Sequence, residues 1–259
     1  MECEVFLADS RSALAAGRVQ RRIVEVPPLD VDTMRQSYYS KKGALQQGFE
    51  QFRARWEAEW HTLPHPQAGL IRWDHRELQQ EFPADSTLGE QSPEQLCDCG
   101  YAAVWTIGPE LERTSSEEVR GSTLLAMFLD VAGSLTMGQI RRALYSFAAG
   151  LGSGHAILGE HVPEIQEGDP RLKAIVSPWQ SAPEGLRPEF RMNENGVLQP
   201  LKSQCAMLYV GEPREGLQVH LDEIPCSHCK GSKCLYRQFG GCHLPIDHQP
   251  GEPEPGAVK

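Results

Sequence analysis

Positive charge is scarce in this chain. Its 25 lysines and arginines face 35 aspartates and glutamates, a formal net charge of -10 at pH 7. Nucleic-acid binding needs a basic face that neutralises phosphates, and docking on an anionic membrane needs the same sign. Neither partner is expected. Long apolar runs are missing too. The most apolar stretch, residues 123–137, contains Asp130 and falls short of the ~20 residues that span a bilayer. No basic segment followed by an apolar core opens the chain, so no signal peptide is expected. The run Gly150-Leu151-Gly152-Ser153-Gly154 lacks the spacing of a phosphate loop and reads as a connector that stops a helix. Internal repeats are absent. The expectation is a cytoplasmic protein with reduced thiols, and 40% hydrophobic content is enough to build a core.

Several elements are legible from pattern. Arg22-Ile23-Val24-Glu25-Val26 reads as a strand ended by Pro27, and Asp30 or Asp32 as the cap of a helix starting near Thr33. Leu45, Phe49, Phe52, Trp56 and Trp60 recur at helical spacing, predicting a helix over residues 42–61 whose stripe packs on a sheet. Arg72-Trp73-Asp74-His75-Arg76 reads as a polar, partly exposed turn rather than as a catalytic Asp–His pair. Residues 102–107 predict a short buried strand. Thr114, Ser115 or Ser116 is the expected cap of a second helix, with Glu117 and Glu118 in its first turn. That helix runs to about Ala149, with Gly133 or Gly138 as breaking points, and is apolar nearly all round, hence central. Residues 198–211 predict another strand. Residues 1–20 show only a weakly helical, alanine-rich stretch.

Cysteine carries the strongest chemical signal. Four of the eight cysteines crowd near the C-terminus as Cys226, Cys229, Cys234 and Cys242, spaced Cys-x2-Cys-x4-Cys-x7-Cys. Clustered thiolates are soft ligands that select zinc, copper(I) or iron–sulfur clusters. In a reducing compartment a metal site is favoured over disulfides. Zinc knuckles usually pair two Cys-x2-Cys units; this uneven spacing tilts the reading towards a four-iron four-sulfur cluster, with zinc as the alternative. Lys230, Lys233 and Arg237 would offset cluster charge, and His228 and His243 are alternative ligands. Cys97-Asp98-Cys99 is a second pair. On a strand the two thiols would share a face; on a loop, Cys97 or Cys99 could replace Cys242 as a ligand. Cys3 and Cys205 read as incidental.

Three segments together resemble one family. The first is Trp105-Thr106-Ile107-Gly108-Pro109-Glu110-Leu111-Glu112, followed by Leu124-Leu125-Ala126-Met127-Phe128-Leu129-Asp130-Val131-Ala132-Gly133-Ser134. The second runs from Asn193-Glu194-Asn195-Gly196 through Gln199-Pro200-Leu201-Lys202-Ser203 to Cys205-Ala206. The third is the Cys-x2-Cys-x4-Cys run ending in Leu235-Tyr236-Arg237. In this order they resemble the activation domain of cobalamin-dependent methionine synthase, and most of all its stand-alone relatives with a C-terminal cysteine motif. The stretch around Tyr38-Tyr39-Ser40-Lys41-Lys42 is similar to that group's N-terminal helix.

The resemblance implies an α+β fold: an antiparallel twisted sheet with long helices, followed by a cysteine-rich metal loop. It implies assistance in the reductive reactivation of a cobalamin-bound partner, a corrinoid protein or cobalamin-dependent methyltransferase, with S-adenosylmethionine as methyl donor. It divides the chain into an N-terminal extension (1–21), the activation-domain-like unit (22–224), a metal-binding segment (225–248) and a tail (249–259). The donor motif Arg-x3-Gly-Tyr falls on residues 175–180, so Ser177, Pro178, Trp179 and Gln180 are the implied cofactor-binding residues. Ile175 stands in place of the arginine, Trp179-Gln180 in place of Gly-Tyr, and Met137-Gly138-Gln139 where an acidic residue is common. An arginine can clamp a carboxylate bidentately and an isoleucine cannot, so the donor site lacks its anchor. No residue supplies an evident catalytic base.

Overall fold

The computed structural model describes residues 1–32, 34, 43–82, 92–152, 155–163, 170–215 and 217. In chain order these form β1 (Glu2–Ala8), α1 (Arg11–Ala15), β2 (Gln20–Glu25), α2 (Ala44–Ala58), β3 (Gln67–Asp74), α3 (His75–Glu81), α4 (Pro93–Leu96) and β4 (Cys99–Thr106). There follow α5 (Glu110–Glu118), α6 (Thr123–Gly150), β5 (Ala156–His161), α7 (Pro170–Gln180), β6 (Arg191–Met192), β7 (Leu198–Gln199) and β8 (Ser203–Gly211). The architecture is mixed α+β. One six-stranded sheet, in the order β2-β1-β3-β4-β8-β5, is antiparallel except where β1 runs parallel to β3. β6 and β7 form a separate two-stranded ribbon.

The strands alternate their side chains between two apolar cores. Cys3, Val5, Leu7, Ala68, Leu70, Tyr101, Ala103, Trp105, Ala206 and Leu208 face α6. Phe6, Ala8, Ile71, Trp73, Ala102, Val104, Cys205, Met207 and Tyr209 face α7 and its neighbours. The first strand was not legible from pattern, yet it sits inside the sheet. The N-terminal stretch is therefore part of the fold rather than an extension. β3 is a second correction: the expected polar turn is the end of a central strand, and Trp73 is fully buried.

The two long helices divide differently from the expectation. Thr114, Ser115 and Ser116 lie inside α5, where their hydroxyls donate to the backbone carbonyls of Glu110, Ala126 and Glu112. The cap of α6 is Ser122, whose hydroxyl accepts from Leu125 N at 3.3 Å. From there α6 runs through Gly133 and Gly138 without a break. By length and composition α6 could cross a membrane, but 67% of its most apolar window is buried within the fold. It is apolar nearly all round because it is covered on both sides. The sheet takes one face, and α2 takes another with an aromatic cluster. There Phe128 meets Phe49 edge-on at 5.6 Å and Phe52 at 5.6 Å, and Phe52 continues to Trp56 and Trp60. The stripe of α2 thus packs on a helix, not on the sheet. Gly48 permits this approach: a Cβ there would stand 2.2 Å from Leu124 Cδ2.

At the end of β3, Asp74 caps α3. Its carboxylate accepts from Glu77 N at 2.8 Å, while Glu77 Oε2 accepts from Asp74 N at 3.1 Å, a reciprocal capping box. The His75 ring bonds the Cys97 carbonyl at 3.1 Å. Asp74 and His75 thus serve different backbone groups and form no catalytic pair. Asp74→Ala is expected to lower unfolding free energy by about 1 kcal/mol, read as a shifted urea midpoint with unchanged slope.

Candidate functional site

The two resembling segments that fall among the described residues meet at one end of the sheet. β4 and β8 are antiparallel neighbours, with Trp105 opposite Gln204 and Thr106 opposite Ser203. Thr106 is fully buried, and its hydroxyl is the local hub. It accepts from Ser203 Oγ at 2.9 Å and from Gly108 N at 3.2 Å, and donates to the Lys202 carbonyl at 3.3 Å. Gly108 turns the chain at φ +78°, in the left-handed region that favours glycine. Beyond the turn, Glu112 Oε2 accepts from Leu201 N at 2.7 Å. Lys202 then crosses to α6, where its ammonium lies 2.7 Å from Asp130 Oδ1 and 2.8 Å from Ser134 Oγ. Motif residues far apart in the chain therefore form one interlocked corner.

That corner borders a cleft of about 740 Å³, lined by Pro109, Glu112, Arg113 and Pro200 together with Arg187 and Arg191. Its guanidinium groups are held in place. Arg113 pairs with Glu110. Arg191 Nε donates to Gln199 Oε1 at 2.8 Å. Arg187 donates to the Gln180 carbonyl at 2.6 Å, serving the C-terminal end of α7 as a cationic cap. The cleft has the volume of a small-molecule or peptide site, and its lining mixes prolines with positioned charge.

The residues implied as a donor site do not line this cleft. Ser177, Pro178, Trp179 and Gln180 form the last turn of α7. Ser177 is exposed, and Gln180 Nε2 donates to the Met192 carbonyl at 3.3 Å. Trp179 is fully buried with Ile175 and Val176, its ring against Gly69 of β3. An apolar residue at 175 suits that inward face.

Cys226, Cys229, Cys234 and Cys242 lie outside the described residues, as do His228, His243, the stretch 35–42 and the tail. Among the described residues no group of three or more metal-ligating side chains is assembled. The described thiols, Cys3, Cys97, Cys99 and Cys205, are buried. Burial pushes the Cys3 and Cys97 thiols up to about 12, assisted at Cys97 by the neighbouring Cys99. Cys97 and Cys99 do not share a face. Cys97 ends α4 and sinks into the core beneath α7, where its sulfur lies 3.5 Å from the Glu94 carbonyl. Cys99 opens β4 and turns to the α6 side. Of the pair, Cys99 lines a cavity at the end of the sheet where β4 begins and β8 ends.

Sequence reasoning missed a half-buried polar trio where α6 meets β5, with Tyr145 fully buried at its centre. Arg141 and Tyr145 both bond the Glu160 carboxylate. Burial, and then the Glu160 charge, holds the Tyr145 hydroxyl well above its ordinary range. Their i, i+4 spacing on α6 was the available signal, but the carboxylate comes from a strand that the pattern did not disclose. No family model matches the chain, and no curated protein matches it.

Proposed function

We propose that this chain is an accessory protein for corrinoid-dependent methyl transfer. It docks on a cobalamin-binding partner and assists its reductive reactivation, and Cys226, Cys229, Cys234 and Cys242 hold a four-iron four-sulfur cluster. One observation carries the reading. The two runs that resemble the activation domain of cobalamin-dependent methionine synthase converge on a single cleft corner through Thr106, Glu112, Asp130 and Lys202. Chance likeness between scattered phrases gives no reason for them to interlock. The mostly antiparallel sheet with long helices is also what that family implies. The donor set fits the group: four thiolates are the usual ligands of such a cluster, and nearby lysines offset its charge. When bound, the cluster supplies one-electron chemistry.

The test is anaerobic purification with an absorption spectrum and metal analysis. A brown chain holding about four irons is expected, and Cys229→Ser should lose nearly all of that iron while the described fold stays intact by circular dichroism. A colourless, zinc-loaded chain would remove electron transfer from the reading.

The burial of Ile175 and Trp179 favours a second reading, a non-enzymatic interaction module with a structural zinc and no working donor site. Calorimetry with S-adenosylmethionine separates the two. Micromolar binding would count against this module.

A further inference from the structure

β2 is an edge of the six-stranded sheet, with β1 as its one neighbour among the described strands. Its residues are exposed apart from half-buried Val24, and Ile23 is 60% exposed. Sheet edges are commonly blocked by proline, by bulges or by outward charge. The opposite edge strand, β5, has a break in its pairing between Ile157 and Gly159. β2 pairs with β1 in unbroken register and contains no proline. Its two arginines are turned to their own chain. Arg21 lies 3.3 Å from Glu4, covers the Phe6 ring and bonds the Gly185 carbonyl. Arg22 donates to Gln20 Oε1 at 2.9 Å. The phase of the ladder shows which backbone groups are left over. Met1 and Val26 exchange both N–H···O bonds, at 2.8 and 3.0 Å. Hydrogen-bonded and non-hydrogen-bonded pairs alternate along an antiparallel ladder. Val24, Arg22 and Gln20 therefore also bond β1, while Arg21, Ile23 and Glu25 turn their N–H and C=O groups outward. The side chains of these three share one face. There Glu25 stands opposite Glu2 of β1, a like-charge pair that costs stability.

We propose that β2 is a homodimer interface, where two copies of this chain pair their β2 strands antiparallel about a two-fold axis through Ile23. In that register Ile23 meets the partner's Ile23, and Arg21 meets the partner's Glu25 at both ends. The three residues with outward backbone groups become the hydrogen-bonded pairs, so backbone phase and charge pattern select the same register. A slip of one residue would set outward groups against groups already spent on β1. A slip of two would lose both Arg–Glu pairs. The partner's Arg21 also offsets the repulsion between Glu2 and Glu25, which the single copy leaves standing. The contact is isologous and closes on itself, joining two sheets into one and covering both copies of Ile23. This inference does not rest on the corrinoid reading.

The experiment is sedimentation velocity on the full chain, kept reduced, from about 1 to 100 μM. A reversible dimer is expected at the upper end of that range. Ile23→Pro removes the outward N–H at the axis and no hydrogen bond of the single copy, and an edge strand tolerates proline where its N–H faces out. It should raise the dimer Kd at least about tenfold. Glu25→Arg sets an arginine against the partner's Arg21 at both ends and should raise the Kd about tenfold. Its urea midpoint should not fall, because the repulsion from Glu2 is removed. A chain that stays monomeric at about 100 μM overturns the proposal. A dimer that a folded Ile23→Pro variant leaves unchanged pairs elsewhere and overturns it too. One that Glu25→Arg leaves unchanged does not use this register, which overturns it as well.

Discussion

Trp179→Ala is expected to lower unfolding free energy by about 3–5 kcal/mol, the range for deleting a buried aromatic side chain. Three features place it at the top of that range. Trp179 is fully buried. It is the largest side chain that α7 sets against the sheet, flanked by Ile175 and Val176. And the sheet beneath it is already cut to fit: a Cβ on Gly69 would stand 2.6 Å from the indole, so the surroundings cannot close over the lost ring without moving β3. The same contact predicts that Gly69→Ala overpacks the site and costs about 1–3 kcal/mol. Because the two residues touch, the double variant should fall short of the summed cost by about 0.5–3 kcal/mol. Urea titrations of the four proteins measure all of this. Full additivity would mean that Trp179 and Gly69 are not in contact.

Raising the pH from 9 to 12 should cost on the order of several kcal/mol of stability. Burial lifts Cys3 and Cys97 from 9.0 to about 12, and Tyr101 from 10.0 to about 12. Tyr145 is raised further, by burial and the Glu160 charge. In the unfolded chain these groups lose their protons near their ordinary values, while the fold still holds them. Above pH 9 the unfolded state therefore binds fewer protons, and stability falls with each step of pH. The contribution is complete below the ordinary values and is lost as pH rises through the folded ones. Urea midpoints at half-unit steps should decline from about pH 9, and Cys3→Ala should flatten the decline while costing some packing at neutral pH. A stability flat to pH 11 would show that these groups titrate freely in the folded chain.

What the sequence discloses depends on how each element is buried. The α2 stripe is legible because α2 has one covered face, so its apolar residues repeat at helical spacing. β1 is not. Val5, Leu7 and Cys3 pack on one side of the sheet while Phe6 and Ala8 pack on the other, which erases the alternation that would mark a strand. β3 was hidden by its exposed Arg72 and Asp74 beside a buried Trp73. The α5–α6 boundary was misplaced because Glu117 and Glu118 look like a first turn when they close the preceding helix. The cleft corner could be seen only as two phrases of sequence. That Glu112 meets Leu201, and Lys202 meets Asp130, is a matter of strand order, which local pattern does not carry. The Cys97–Cys99 spacing suggested a shared face, but the chain turns at Asp98, whose N–H is spent on the Val210 carbonyl at 2.8 Å.

The strand order also sets a schedule for synthesis. β8 lies between β4 and β5, yet both of those strands leave the ribosome before it. Until residues 203–211 emerge, β4 and β5 each present an unpaired edge, the kind of surface that recruits other chains. Pairing β4 with β8 also closes a long loop, which slows folding. A nascent chain stalled or cut before β8 is thus the form most exposed to aggregation and in need of a chaperone. The cysteine-rich segment comes after β8 in the chain, so its thiols are translated only once the strand that completes the sheet has been made.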